Sequence, residues 1–236
     1  MQSRIFEIGW KFVDILFPPS CAGCGKWGER YCRTCFANTR TISPKICQTC
    51  GEPLRQNNVS ICERCRSSDI FFTAVRSWAL FEDPLKKAIH NLKYQRNIAL
   101  GEVLARPLAK FLAETDWNID QITAVPLDHD RKQERGYNQS VLLARPLGWL
   151  TKIPFNQKVI TRVRKTRPQV GLSREERAEN MDRAFSCRSE LVNRKTILVI
   201  DDVITTGSTI NSCSKALIES GAEKVFGLTL ARSVHL

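Results

Sequence analysis

Residues 197–210 read ILVIDDVITTGSTI. With Thr196 in front, TILVID is apolar almost without interruption, the pattern of a central parallel strand covered on both faces. Working outward, a helix is expected from about Ser208 to Ser220, stopped by Gly221, with KVFGLTLA (224–231) as the last strand. Upstream, FTAVRSWALFE (72–82) alternates like a strand. Asp83-Pro84 then opens a helix, Asp83 as N-cap and Pro84 at its first position, with Leu85, Ala88, Ile89 and Leu92 on one apolar face. A second helix over about 98–115 carries Leu100, Leu104, Leu108 and Leu112, kinked at Pro107. QITAVPL (121–127) is a short strand, followed by a polar loop and a helix that begins between Arg131 and Asn138. KVITRVR (158–164) is a further strand; residues 165–185 are polar and then helical, with Ser173 and Glu176 as a capping box. Strands alternating with helices point to an α/β fold, a doubly wound parallel sheet.

The strand at 197–202 ends on two carboxylates, Asp201 and Asp202, and ligands of open α/β sheets bind beyond such strand ends. Ionised carboxylates only accept hydrogen bonds, which suits sugar hydroxyls or a metal held by them. Thr205, Thr206, Gly207, Ser208 and Thr209 then turn into a helix N-terminus, whose amides, hydroxyls and dipole make a phosphate cradle. Together these features describe a site for a ribose 5-phosphate. A Walker B reading fails because no G-x-x-x-x-G-K-[ST] occurs in the chain. A phospho-receiver pocket fails because only 34 residues follow Asp202. A lone N-cap aspartate explains one acid and leaves the rest of the pattern unexplained.

Ten cysteines are present, eight of them in C-x-x-C pairs: Cys21/Cys24, Cys32/Cys35, Cys47/Cys50 and Cys62/Cys65. Two such pairs close a tetrahedral thiolate site, so two structural zinc ions are expected. Gly25 and Gly51 directly follow the first and third pairs, as a tight knuckle requires. The first and third pairs are offset by 26 residues and the second and fourth by 30, which resembles a duplicated ribbon with a four-residue insertion in the second copy. The favoured grouping is Cys21, Cys24, Cys32 and Cys35 at one site and Cys47, Cys50, Cys62 and Cys65 at the other, with a crossed pairing as the alternative. Cys187 and Cys213 read as small buried hydrophobes. Two regions are expected: a helix and double zinc ribbon over 1–68, and the α/β domain over 69–236.

The formal charge of +12 favours anionic partners. The first 20 residues interrupt their apolar positions with Glu7, Lys11 and Asp14; they read as a short amphipathic helix packed on the protein, with membrane-surface binding as the alternative. No run approaches the 18 apolar residues of a membrane span, and a cytoplasmic location is expected.

ILVIDDVITTGST resembles the phosphoribosyl pyrophosphate (PRPP) signature of type I phosphoribosyltransferases. Combined with the cysteine pairs, VPL…RGYNQ and R…Q..L…R..N…AF, the chain resembles the ComF family of competence-associated proteins from about Phe17 to Arg232. That resemblance implies a type I phosphoribosyltransferase-like sheet with a zinc-ribbon head. It implies Asp201 and Asp202 on the ribose hydroxyls and Thr205–Thr209 on the 5-phosphate. The loop Leu127–Arg131 would take pyrophosphate, helped by Arg131 and Arg135; a surface ion pair with Glu134 is the plainer reading of Arg135. The segment from Arg162 to about Gln169 matches a mobile loop in which Arg164, Lys165 and Arg167 neutralise departing pyrophosphate; a solvated basic loop is the alternative. Mg²⁺ would bridge pyrophosphate and ribose hydroxyls. Thr205 stands where purine-salvage enzymes carry an acidic general base, and a hydroxyl cannot serve as that base near neutral pH. Two functional classes follow. One is a Mg²⁺-dependent phosphoribosyltransferase, or PRPP sensor, of unidentified acceptor. The other is a non-catalytic accessory protein that contacts single-stranded DNA or a DNA-uptake helicase, its PRPP site regulatory or vestigial.

Overall fold

The computed structural model describes residues 18–42, 45–54, 59–163 and 184–234. The N-terminal helix, Arg164, Lys165 and Arg167, and the Ser173–Glu176 capping box lie outside the described residues. In chain order the elements are α1 (Arg33–Ala37), α2 (Glu63–Arg66), β1 (Ala74–Leu80), α3 (Leu85–Tyr94), α4 (Leu100–Ala113), β2 (Gln121–Ala124), α5 (His129–Arg135), α6 (Gln139–Thr151), β3 (Ile160–Arg162), β4 (Phe185–Cys187), α7 (Ser189–Val192), β5 (Thr196–Ile204), α8 (Ser208–Glu219) and β6 (Lys224–Arg232).

Four strands form one sheet in the order β1-β6-β5-β2, every neighbouring pair parallel. The strand that opened the sequence reading, β5, is therefore paired on both edges. Its side chains alternate between two cores. Leu198 and Ile200 join Leu85, Ile89, Leu104 and Leu143 on one face, and Ile197 and Val199 join Val75, Ile210, Cys213 and Leu217 on the other. Helices α3, α4 and α6 thus cover one face and α8 the other, which is the doubly wound arrangement. The chain leaving β2 runs into α6 on the first face, and the chain leaving β5 runs into α8 on the second. A crevice therefore opens where the carboxyl ends of these neighbouring strands part.

Three local expectations change. Helix α3 begins at Leu85 behind Pro84, and Asp83 makes no cap; its carboxylate instead reaches Lys87 at 3.1 Å, one turn on. The single helix expected after β2 is two, α5 and α6, because Gly136 at φ 79° ends α5 in the left-handed region. The strand expected over 158–164 shrinks to β3 and stays out of the parallel sheet. It pairs antiparallel with β4, an element the sequence reading did not separate from the helical segment before it.

The two cysteine knuckles share several matched hydrogen bonds. Cys21 N–H donates to Lys26 C=O and Cys47 N–H to Glu52 C=O, both at 2.8 Å. Gly25 N–H donates to Cys21 C=O at 2.8 Å and Gly51 N–H to Cys47 C=O at 2.9 Å. Sulfur acceptors match too: Cys32 N–H on Cys21 Sγ and Cys62 N–H on Cys47 Sγ, both at 3.3 Å. Both copies dock on the sheet. Cys21, Tyr31 and Cys35 belong to the core that contains Leu85 and Ala88, and Cys47 and Cys50 to the core that contains Phe72 and Val75. Between them the linker runs beside β1: Leu80 N–H donates to Arg40 C=O at 2.9 Å, and Thr41 bridges Ala79 antiparallel. Val75 N–H completes the seam on Thr49 C=O at 2.7 Å.

The second knuckle is packed against β1 so closely that a Cβ on Gly51 (φ +72°) would meet the Val75 carbonyl oxygen at 2.5 Å, whereas one on Gly25 (φ +80°) would meet open space. Gly51→Ala carries both a backbone penalty and a steric clash, and Gly25→Ala the backbone penalty alone, about 1–2 kcal/mol. Urea unfolding should therefore show Gly51→Ala to be the more destabilised by at least about 1 kcal/mol. Equal losses would mean that the seam at Val75 is looser than described.

Candidate functional site

Asp201 and Asp202 stand at the carboxyl end of β5, and each finds a partner from the helical face. Asp201, part-buried, accepts from Ser140 Oγ at 2.8 Å and from the Asp202 N–H at 2.9 Å. Asp202, 4% exposed, pairs with Lys93 Nζ at 2.8 Å and accepts from the Val203 N–H at 2.8 Å. Lys93 comes from the last turn of α3 and Ser140 from the first turn of α6. Asn138 sets the position of Ser140: its Oδ1 accepts from the Ser140 N–H at 2.9 Å while its Nδ2 donates to the Val125 carbonyl, also at 2.9 Å. One asparagine thus fastens the start of α6 to the end of β2. Lys93, Asn138 and Ser140 were not read as site residues from the sequence. The RGYNQ motif directly before Ser140 was the available signal for two of them; nothing near Lys93 marks it.

Beyond Ile204 the chain turns through Thr205, exposed, and Thr206 into Gly207, which takes φ 84° and ψ 0° as the N-cap of α8. Gly207 has no side chain to cap this helix, and Thr206 Oγ1 accepts from the Ser208 N–H at 3.4 Å. Thr206 Oγ1 and Ser208 Oγ lie 3.1 Å apart, so the hydroxyls line the same bend. The positive end of the 12-residue α8 thus follows the two carboxylates within seven residues, at a bend lined with hydroxyls.

The loop Leu127–Arg131 is built differently from its expectation. Asp128 caps α5, accepting from the Asp130 N–H at 3.2 Å, and its other carboxylate oxygen meets Arg162 Nε at 3.4 Å. Arg131 is exposed. Arg135 is neither on a surface ion pair nor in solvent: it is buried, donates to Gln139 Oε1 at 3.0 Å and Tyr94 Oη at 3.2 Å, and lies 4.8 Å over the Tyr94 ring. Its guanidinium braces α3 against α6. Leu127 and Asp128 also border a cavity of about 910 Å³ with Asn138, Leu142, Trp149 and Arg162; neither aspartate nor the Thr205–Thr209 turn is among its lining residues.

The eight paired cysteines gather into two groups, Cys21, Cys24, Cys32 and Cys35, and Cys47, Cys50, Cys62 and Cys65, with all sulfurs of a group within 4.8 Å of one another. Sulfur–sulfur distances are 3.5 Å for Cys21–Cys35, 3.6 Å for Cys24–Cys32 and 3.7 Å for Cys50–Cys62. A tetrahedron with Zn–S bonds near 2.3 Å has edges of about 3.8 Å, so both cages fit that ion. Cys213 is fully buried and Cys187 half-buried, and burial pushes the Cys187 thiol up to about 12.

Burial, reinforced by the adjacent Asp202 charge, pushes the Asp201 carboxyl up to about 7. The folded state then holds a proton that the unfolded chain releases near pH 4. The stability this group contributes is full at low pH and is lost as pH rises through about 7. The stability of the chain relative to Asp201→Asn should therefore decline between pH 5 and pH 8 in parallel urea titrations. A difference between the two proteins that stays constant over that range would show that the carboxyl titrates normally.

Comparison with known proteins agrees with this architecture. The double zinc ribbon domain family matches residues 12–66. Competence protein F of Haemophilus influenzae is 38% identical over 161 residues, covering 64% of this chain and 69% of that protein. DNA utilization protein YhgH of Escherichia coli K12 is 32% identical over 216 residues, covering 89% of this chain and 92% of that one. Among solved structures, adenine phosphoribosyl transferase from Trypanosoma brucei aligns at 14% identity and a TM-score of 0.39, covering 59% of this chain and 67% of that chain. Among the described residues no helix is long and apolar enough to cross a membrane. On the strength of its sequence relatives, and with two four-cysteine zinc ribbons fused to a doubly wound parallel sheet, the chain belongs to the ComF family of competence-associated proteins.

Proposed function

We propose that the chain binds PRPP at the carboxyl end of β5 and serves as a phosphoribosyltransferase or as a PRPP sensor. The observation that carries this reading is the pair Asp201–Asp202 at the carboxyl end of β5, followed directly by the hydroxyl-lined bend into the N-terminus of α8. Asp201, less buried than its neighbour and not engaged by Lys93, accepts hydrogen bonds from the ribose hydroxyls. Asp202, already neutralised by Lys93, fixes the floor of the site. The amides and hydroxyls of Thr205–Thr209 receive the 5-phosphate. Arg131, exposed in the first turn of α5, is assigned to pyrophosphate; Arg164 and Lys165 are assigned the same role from the sequence alone. Bound Mg²⁺, a hard ion suited to these oxygen donors, would neutralise pyrophosphate charge. Thr205 supplies no general base, so an acceptor for this site must be nucleophilic without help from that position.

Titration calorimetry with PRPP and Mg²⁺ should give saturable binding to the purified protein, weakened at least about 10-fold in Asp201→Asn, equivalent to about 1.4 kcal/mol. No heat from the unaltered chain, or an unchanged affinity in the variant, removes the proposal.

A contribution to DNA use is a second reading, favoured by the charge of +12 and by the names of the relatives, competence protein F and DNA utilization protein YhgH. Single-stranded oligonucleotide binding should then fall steeply between 50 and 200 mM salt, because phosphate contacts release counterions. A flat response rules out the basic surface as the basis of binding.

A further inference from the structure

The duplicated ribbons offer an internal comparison: the backbone is the same, and the surroundings of the sulfurs are not. At the second site Arg64 Nη2 donates to Cys50 Sγ at 3.3 Å and to Glu52 Oε2 at 2.8 Å. The matching position of the first ribbon holds Thr34, which has no guanidinium to offer. Arg232, the last residue of β6 and only 1% exposed, donates through Nη2 to the Cys50 carbonyl. Its Nε and Nη1 are buried and find no hydrogen-bond acceptor among the described residues. Arg76, half-buried on β1, donates through Nη1 to its neighbour's carbonyl at Val75, at 2.9 Å. Two arginines thus meet the second cage at Cys50.

A buried guanidinium lacking full hydrogen bonding costs several kcal/mol unless an opposite charge stands near. Four thiolates around one zinc ion carry a net charge of about −2, and the metal holds the sulfurs in that form. The charge that makes burial of Arg232 tolerable is therefore the metal–thiolate cluster itself, with Glu52 beside it. Arg232 is in turn part of the sheet's carboxyl edge. It sits in register with Leu80 and Ile204, and its carbonyl accepts from Phe81 N–H at 2.8 Å. Ser233 N–H donates to Ile204 C=O at 2.9 Å, and Ile204 lies against Gly207. At the first cage Cys24 is exposed and the other three cysteines are buried, and backbone amides, those of Gly23 and Cys32 among them, donate to Cys21 Sγ.

We propose that the two zinc sites are unequal: the second is an electrostatic anchor that holds Arg232 and the end of β6 in place, and the first exchanges its metal without disturbing the sheet. The ion at the second site then supports the same strand ends that carry Asp201 and the Thr205–Thr209 turn.

The test uses the full chain with both zinc ions, challenged with a chelator in the presence of N-ethylmaleimide. Zinc release is followed with a chromogenic indicator, labelled cysteines by peptide mass spectrometry, and residues 224–232 by amide hydrogen exchange. One equivalent should leave first, with label at Cys21, Cys24, Cys32 and Cys35 and exchange in β6 unchanged. The second should leave at least about 10-fold more slowly, with label at Cys47, Cys50, Cys62 and Cys65 and faster exchange in β6. Arg64→Thr, which copies the first ribbon, should speed the second release by about 10–100-fold, the usual effect of losing a partner of a metal ligand. The proposal is overturned if both ions leave at one rate, if labelling begins at the second cage, or if β6 exchange ignores loss of the second ion. A release rate in Arg64→Thr equal to that of the unaltered chain overturns it as well.

Discussion

A strand that is paired on both edges and covered on both faces has no place along its length for a charge. That constraint governs β5. From Ile197 to Ile200 every residue is fully buried, and the first carboxylate comes only where the strand runs out from between its neighbours. Even there, Asp202 is 4% exposed, and a carboxylate so buried needs a partner. Lys93 supplies the charge from α3 and Ser140 the hydrogen bond to Asp201 from α6, so the two helices that fill one core also complete the site. Packing and chemistry are set by the same contacts, and Arg135, wedged between Tyr94 and Gln139, keeps those two helices in register.

At the other end of the sheet the difficulty is an open edge. β1 has β6 on one side and would leave a row of unpaired amides and carbonyls on the other. The segment Arg40–Ile42 and the knuckle residue Thr49 occupy that edge, accepting and donating along it. The ribbons in turn bury several cysteines and aromatic residues against the sheet, giving them a core that two small metal loops cannot build alone. Head and sheet therefore stabilise each other, although the composition changes sharply between them.

Where the sequence was legible, the reason is that local pattern and tertiary demand coincide. TILVID could be read as a central strand because burial on both faces demands apolar residues at every position. The cysteine offsets of 26 and 30 could be read as a duplication because metal geometry tolerates little variation in spacing. Legibility failed where a residue's role is fixed by something distant in sequence. Asp83 has the form of an N-cap, but Lys87 claims it. Arg135 reads as a phosphate ligand or a surface cation, yet Tyr94, 41 residues earlier, has engaged it. Lys93 is one lysine among many on a helix until the fold sets it 2.8 Å from Asp202. β3 and β4 are only three residues each and pair with one another, too short for periodicity to mark.

The duplication carries one further consequence. A repeated sequence implies repeated backbone, and the knuckles obey this to within 0.1 Å in their matched backbone hydrogen bonds at Cys21 and Cys47, and at Gly25 and Gly51. It does not imply repeated electrostatics, because charge at a metal cage is supplied by whatever the copy is pressed against. The first copy meets α3, through Asn91 Nδ2 on the Ala22 carbonyl. The second meets the start of β1, through Val75 N–H on the Thr49 carbonyl, and the end of β6, where Arg232 donates to the Cys50 carbonyl. An anionic cage can be buried beside guanidinium groups at lower cost than beside neutral ones, and those groups can be buried only beside an anion. The second ribbon and the strand that ends in Arg232 are each the condition for the other's burial, and β6 borders the strand that carries the two aspartates.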